Sequence, residues 1–203
     1  MLTLFASPGA CSQISLILLE KANAHYQLKC VRLSEGEHNS PAYRAINPKG
    51  KVPALQSGEA LVTETPAIQF YLHRQFPQAK ILSAVDEITL ISDLAWFASY
   101  VHPLITRYCK PELCGVSRDM DGVKNNAARQ LEDAFNRIED HLNVNVFWNG
   151  DAWDGLDIYL FWTINRLRRG GFSFAPFDRI SYHYQQLLSD PVIKRALLKE
   201  KAL

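Results

Sequence analysis

Four cysteines are spread through the 203 residues, and the sequence contains no CxxC pair and no cysteine spacing typical of a metal site. The sequence therefore predicts no metal and no disulfide framework. Free thiols are typical of the reducing cytoplasm, where we expect this chain. The four cysteines are Cys11, Cys30, Cys109 and Cys114.

An excess of charge of either sign is also lacking. The chain carries 22 basic and 21 acidic residues, a formal net charge of +1, which gives no electrostatic basis for binding nucleic acid or an anionic membrane. Unbroken apolar runs are only a few residues long, and the first residues lack the basic segment and long apolar segment of a secretory signal. We expect a soluble chain without a nucleic-acid or membrane partner.

The opening of the chain is its most informative segment. Leu2–Ala6 is an apolar run typical of a strand, Ser7–Gly9 breaks it, and apolar residues resume at helical spacing from Ile14. Cys11 therefore lies where a strand passes into a helix, with Ser12 the expected N-cap. The first N–H groups of a helix favour a thiolate, although a lone buried cysteine is more often a small apolar side chain.

The pattern up to about residue 78 mixes strands and helices. After the first strand and helix it predicts a second strand, a short helix, a β-hairpin and a helix that Thr65 caps, with Pro66 at its first position. The order is βαβ followed by ββα, with a mixed sheet. The later segments are 26–33, 41–45, 52–56, 60–63 and the helix from residue 65.

After residue 84 the sequence predicts only helices. Asp86, Ser117 and Asp154 are expected to open long helices, and Pro103 to kink the first of them. Asp157, three positions after Asp154, completes a variant capping box, so its replacement by alanine is expected to cost about 1 kcal/mol. Two short helices, 178–188 and 191–200, follow. We therefore predict an α+β domain, 1–78, and an all-helical domain, 86–203.

Four segments in this order resemble the cytosolic glutathione transferases, most of all their bacterial beta class, over essentially the whole chain. They are Ser7–Ser12, Ile46–Leu55, Glu64–Ile68 and Asp154–Leu160. The resemblance implies a thioredoxin-like first domain that binds glutathione and a helical domain that carries the hydrophobic pocket for an electrophile. It also implies a cytoplasmic homodimer with a role in detoxification.

The resemblance assigns glutathione contacts to four residues of the first domain. The Val52–Pro53 bond is expected to be cis and to turn the Val52 backbone toward the cysteinyl amide of glutathione. Thr65, at a helix start, is placed to receive the α-carboxylate, with Glu64 orienting the ligand or accepting from its ammonium group. From the residues alone, Thr65 as a simple cap and Glu64 as a solvated charge are equally good interpretations.

The resemblance also implies the catalytic residues. Cys11 takes the place of the beta-class cysteine near the glutathione sulfur, and His102 that of the histidine that faces the sulfur from the helical domain. Ser12 is a possible hydroxyl donor. Two chemistries stay open for Cys11: donating a hydrogen bond to the glutathione thiolate, or forming a mixed disulfide with glutathione, for which it would be a single-thiol site.

One departure from the family lies in the loop after the second strand. Beta-class proteins place a basic side chain there, near the glycyl carboxylate, whereas this chain has Glu35 and Glu37. Either His38 or Lys51 takes that place, or glutathione binds weakly. The sequence thus predicts a glutathione transferase that uses no metal and acts on small hydrophobic electrophiles, with possible reduction of mixed disulfides. The alternative is a non-enzymatic binding or regulatory module of the same fold.

Overall fold

The computed structural model describes residues 1–83, 86–114 and 119–203. Contacts divide the chain into two compact units, Met1–Leu82 with Ser189–Leu203 and Ser83–Leu188. The predicted boundaries, 1–78 and 86–203, differ from this division in their last residues, which pack in the first unit. The assignment of glutathione to one domain and the electrophile to the other stays a prediction.

The first unit is a four-stranded sheet with helices, as predicted. The strand order is β2-β1-β3-β4, where β1 pairs parallel with β2 and antiparallel with β3, and β3 pairs antiparallel with β4. The sheet is therefore mixed. Its elements are β1 (Leu2–Ala6), α1 (Ser12–Lys21), β2 (Tyr26–Cys30), α2 (Pro41–Ile46), β3 (Ala54–Ser57), β4 (Ala60–Thr63) and α3 (Thr65–Gln75), joined by α9 (Pro191–Lys201).

Helix α1 is buried along almost its whole length, because other elements of the unit pack around it. Every residue from Ser12 to Glu20 is buried. At one end of this packing, the Glu20 carboxylate accepts from Arg195 Nε and Lys199 Nζ of α9, both at 2.6 Å. The two ion pairs attach α9 to α1, and this explains why residues 189–203 belong to the first unit.

The second unit is helical, as expected. Helix α4, a π-helical turn (Phe97–Val101) and α5 follow one another without a break. Pro103 lies in the first turn of α5, and the kink expected there stays a prediction. Ser117, the predicted start of the next helix, lies outside the described residues. The helices are α4 (Glu87–Trp96), α5 (His102–Cys109), α6 (Met120–His141), α7 (Gly155–Arg169) and α8 (Asp178–Ser189).

By length and composition alone, the stretch Glu87–Cys109 could cross a membrane, with a mean hydropathy of 1.3. The stretch is apolar on average but contains no long unbroken apolar run, because single polar residues such as Asp93 interrupt it. Core helices of water-soluble proteins pass the same test, and Leu94, Phe97, Val101 and Leu104 are buried within the unit. The feature is therefore weak support for a membrane span.

The capping box predicted at the start of α7 is present, and both of its carboxylates are fully buried. Asp154 Oδ1 accepts from the Leu156 N–H at 2.8 Å, and Asp154 Oδ2 accepts from the Ser83 N–H at 2.9 Å. Asp157 Oδ2 accepts from the Asp154 N–H at 2.8 Å. The box therefore also fastens the chain that precedes α4.

The burial of Asp154 leads to a pH-dependent prediction. Burial, with the Asp157 charge adding to it, raises the pKa of Asp154 from 3.8 to about 6. A carboxyl whose folded pKa is raised gives stability that is fully present below its unfolded pKa and is lost as the pH rises through its folded pKa. In urea unfolding, the free energy of unfolding of the wild type minus that of Asp154→Asn should therefore decrease as the pH rises from 3.8 to about 6.

The matched control is Asp86, the exposed N-cap of α4. Hydrogen bonds from Thr89 lower the pKa of Asp86, so the opposite trend is expected: the wild type minus Asp86→Asn should decrease as the pH falls. A difference for Asp154 that stays flat or rises with pH would contradict the prediction.

Candidate active site

Cys11 lies in a tight turn between β1 and α1, here called the Cys11 turn (Ser7–Gln13). Its backbone is helical, with φ −62° and ψ −10°, and it occupies the N-cap position without a capping side-chain bond. Its Sγ donates to the Val52 carbonyl oxygen at 3.5 Å, and the Thr65 side chain lies near enough to act on the pKa of the thiol. Three of the residues predicted from the sequence thus meet at one place in the first unit.

The Cys11 thiol is protonated at neutral pH. Burial raises the pKa of Cys11 to about 11, the nearby Glu64 charge adds to this, and hydrogen bonds from Thr65 and from the backbone at the helix start only partly offset it. The sequence reasoning used the helix start alone, which favours a thiolate. Desolvation outweighs that effect in this site.

Ser12 has a different place from the one expected. It is the first residue of α1, not its N-cap, and it is fully buried. Its Oγ accepts from the Ser7 N–H at 3.0 Å and donates to the Ser7 carbonyl oxygen at 3.2 Å. Because the hydroxyl proton is used inside the turn, the bonds give Ser12 a turn-closing role, and its catalytic role stays a prediction.

The Val52–Pro53 bond is cis, as the resemblance implies. Two side chains hold the residue before Val52: the Lys51 carbonyl oxygen accepts from Tyr43 Oη at 2.7 Å and from Asn47 Nδ2 at 2.8 Å. These two bonds fix the segment whose next carbonyl faces Cys11.

Glu64 and Thr65 lie at the start of α3, but Thr65 is not its cap. Glu64 takes the N-cap position with φ +72°, a left-handed conformation that costs a non-glycine residue free energy. Thr65 is the first helical residue and is 5% exposed. This arrangement leaves the first N–H groups of α3 without helical partners beside the Thr65 hydroxyl, where an anion is favoured.

Lys49 is a site residue that the sequence reasoning missed. Its Nζ donates to Glu64 Oε1 at 2.7 Å and to Thr63 Oγ1 at 2.9 Å. The pair is exposed, so its contribution to stability is about 0–1 kcal/mol. Its position within the Asn47–Gly50 turn motif is the only sequence signal for it.

The two candidates for the cation near the glycyl carboxylate stay predictions. Lys51 is exposed. His38 lies in a short 3₁₀ turn, Glu37–Asn39, with its Nε2 at 3.0 Å from Asn39 Nδ2 and its Nδ1 buried without a hydrogen-bond partner among the described residues.

His102 belongs to the second unit, at the start of α5. Its Nδ1 lies 2.9 Å from the Oη of Tyr159, and its ring packs on Trp162 with the centroids 4.6 Å apart. Tyr159 and Trp162 are themselves buried in α7. The ring is thus oriented by two aromatic residues, and its predicted role toward the sulfur stays a prediction.

Within the described parts of the chain, no group of three or more His, Cys, Asp and Glu side chains is arranged to hold a metal ion. The groups that come together at Cys11 are its own thiol, the Thr65 hydroxyl, the Val52 backbone carbonyl and the start of α3. This set of groups suits a ligand that presents a thiol and a carboxylate.

Comparisons with known proteins point the same way. Residues 1–74 match the family model of the glutathione S-transferase N-terminal domain. Glutathione S-transferase GstA of Escherichia coli O157:H7 is 28% identical over an alignment of 202 residues that covers 97% of this chain and 98% of that protein.

Solved structures match over the whole chain. A glutathione transferase homologue from a Sulfitobacter, with bound glutathione, has a TM-score of 0.88 and 26% identity, and the match covers 100% of this chain and 98% of that one. A beta-class glutathione S-transferase from Sphingomonas chungbukensis has a TM-score of 0.85 and 25% identity, covering 99% and 100%. The likeness therefore includes both units.

Proposed function

Since this chain belongs to the cytosolic glutathione transferase family, we propose that it is an enzyme that binds glutathione and transfers its thiolate to small hydrophobic electrophiles. The observation that carries the proposal is the meeting of Cys11, Val52 and Thr65 in the first unit. The matching Sulfitobacter homologue holds glutathione, which supports the same ligand here.

Glutathione fits the polar groups of this site. Its α-carboxylate would lie at the start of α3, bonded by the Thr65 N–H and hydroxyl, where the helix dipole favours an anion. Its ammonium group would lie against Glu64, which Lys49 at present partly neutralises. Its cysteinyl backbone would pair with Val52 next to cis-Pro53, and its glycyl carboxylate with Lys51 or His38.

For Cys11 the protonated thiol supports hydrogen-bond donation over covalent chemistry. The Sγ–H group that now donates to Val52 could turn to the glutathione sulfur and stabilise its thiolate. The thiolate then attacks the electrophile, and the new S–C bond replaces the bond to the leaving group, which is chloride in a chlorinated nitrobenzene. The leaving group and the proton lost from glutathione pass to solvent. We propose His102 and Ser12 as further catalytic residues, and the conjugation rates of His102→Ala and Ser12→Ala test these roles.

Cys11→Ala should lower the conjugation rate about tenfold or more, since the hydrogen bond that is removed is made to a charged thiolate. Intact-mass spectrometry of the wild type after incubation with oxidised glutathione at neutral pH should show no adduct on Cys11, because the thiolate is scarce there. An adduct that forms on the wild type and is absent from Cys11→Ala would contradict this and would establish thiol transfer through Cys11.

The direct test of the function is calorimetric titration with glutathione, followed by an assay with a chlorinated nitrobenzene as electrophile. Binding at or below millimolar concentration with turnover is the expected result. Absence of binding at millimolar glutathione would favour the alternative, a non-enzymatic binding or regulatory module of the same fold.

We further propose that the enzyme is a cytoplasmic homodimer of the bacterial beta class that serves detoxification. The likeness to the Sphingomonas chungbukensis beta-class protein and the cysteine at position 11 support the class. Sedimentation of the purified chain tests the dimer, which would have twice the mass of the 23.0 kDa chain.

A further inference from the structure

Glu200, in the last turn of α9, is buried at 7% exposure, although glutamate is seldom buried without partners. Each of its carboxylate oxygens accepts a hydrogen bond. Oε1 accepts from the Gly9 N–H at 3.0 Å, and Oε2 accepts from Gln13 Nε2 at 2.6 Å. Both of these donors are neutral and belong to the Cys11 turn.

The donors of the two bonds lie on either side of Cys11 along the chain. Gly9 lies two residues before it, with φ +73°, and Gln13 lies two residues after it. Within the Cys11 turn, the Ala10 N–H donates to the Ser7 carbonyl oxygen at 3.1 Å, Ser12 bonds to Ser7, and the Gln13 N–H donates to the Ala10 carbonyl oxygen at 3.0 Å. Glu200 therefore fastens the same turn from outside, on both sides of the cysteine.

Gln13 is the second residue of α1, so its bond to Glu200 also joins α9 to α1, but other contacts already make that attachment. Ile193 and Ala196 of α9 are fully buried, and the ion pairs of Glu20 with Arg195 and Lys199 already join the two helices. Burying a carboxylate is costly, and an apolar side chain at position 200 would attach the helix at lower cost. What an apolar side chain could not do is accept from the Cys11 turn.

We propose that Glu200 is a positioning residue: its buried carboxylate, bonded to the Gly9 backbone and the Gln13 side chain, holds the Cys11 turn in the geometry that keeps Cys11 against Val52 and Thr65 and presents it to glutathione. This rests on the proposed function only for its second half. The first half, the fixing of Cys11 within the turn, concerns this chain alone and is measurable without glutathione.

The first test is the rate at which iodoacetamide alkylates Cys11, read by peptide mass spectrometry with the exposed Cys114 as internal reference. Glu200→Ala should raise the Cys11 rate at pH 8 about fivefold or more, because a loosened turn exposes the thiol and returns its pKa toward the ordinary value. Glu200→Gln should stay within about twofold of the wild type, since its amide oxygen still accepts from Gly9 and a rotated Gln13 amide can accept from its nitrogen.

The matched control is Arg195→Ala, which removes an α1–α9 bond of the same helix without touching the Cys11 turn. A merely structural role for Glu200 predicts equal effects of Glu200→Ala and Arg195→Ala on both the melting temperature and the Cys11 rate. Such equality, or an unchanged Cys11 rate in Glu200→Ala, would overturn the proposal. If Glu200→Ala does not fold, Gln13→Ala takes its place, with a rise of about threefold expected and no rise overturning the proposal.

The second test measures glutathione in the same variants. The dissociation constant should rise about tenfold in Glu200→Ala and stay within about twofold in Arg195→Ala and Glu200→Gln. A wild type that does not bind glutathione would refute the proposed function while the alkylation result stands. A wild type that binds, with Glu200→Ala binding equally well, would refute the positioning role alone.

Discussion

Asp157→Ala should lower the free energy of unfolding by about 3–5 kcal/mol, several times the value expected from a capping box alone. The difference arises because Asp157 Oδ1 also accepts from the Trp148 N–H and lies against His183 Nε2, both at 2.7 Å. Asp157 and His183 are both fully buried, so the substitution leaves three polar groups in the core without their acceptor. Urea unfolding followed by circular dichroism gives the value.

The control for this prediction is Asp86→Ala, which removes an exposed N-cap bond to Thr89 and should cost several times less free energy of unfolding. Equal losses in the two variants would show that the buried contacts of Asp157 contribute nothing beyond capping. Glutathione affinity should be unchanged in both variants when measured well below the unfolding midpoint.

Thr65→Val should raise the glutathione dissociation constant about tenfold or more, because a hydrogen bond to a charged carboxylate contributes about 1.5–3 kcal/mol. Valine keeps the shape of the buried side chain at the start of α3 and removes only the hydroxyl. Calorimetric titration at constant pH measures the change.

Thr63→Val is the matched substitution two residues earlier, at the end of β4, where the hydroxyl accepts from Lys49. Its affinity for glutathione should stay within about twofold of the wild type. If Thr65→Val also stays within twofold, the start of α3 is not where the α-carboxylate binds.

The order of elements was predictable because it depends on local patterns. Three local patterns each act over a few residues: the apolar run Leu2–Ala6, the paired runs 52–56 and 60–63, and the spacing of Asp154 and Asp157. The structure has the strand, the hairpin and the capping box that they predict. The extent of the first unit was not predictable in this way. Nothing in the amphipathic pattern of 191–200 says which distant helix its apolar side contacts.

The same limit applies to the site. Spacing placed Cys11 at a helix start, but it could not show that the thiol would be desolvated enough to raise its pKa. Nor could it show that Ser12 would bond back to Ser7, or that Lys49 would reach Glu64 from fifteen residues away. These are consequences of burial and of side-chain reach, which sequence spacing does not carry.

The two-part composition of the first unit has a consequence for the order in which the chain folds during translation. The sheet and α1–α3 are synthesised first, yet the helix that covers α1 emerges more than a hundred residues later. Domains made at the start of a chain commonly fold while the rest is still being synthesised. Here the side of α1 that contacts α9 stays uncovered until residues 191–201 have been synthesised. Completion of the first unit is therefore a late step, which must close a loop of more than a hundred residues.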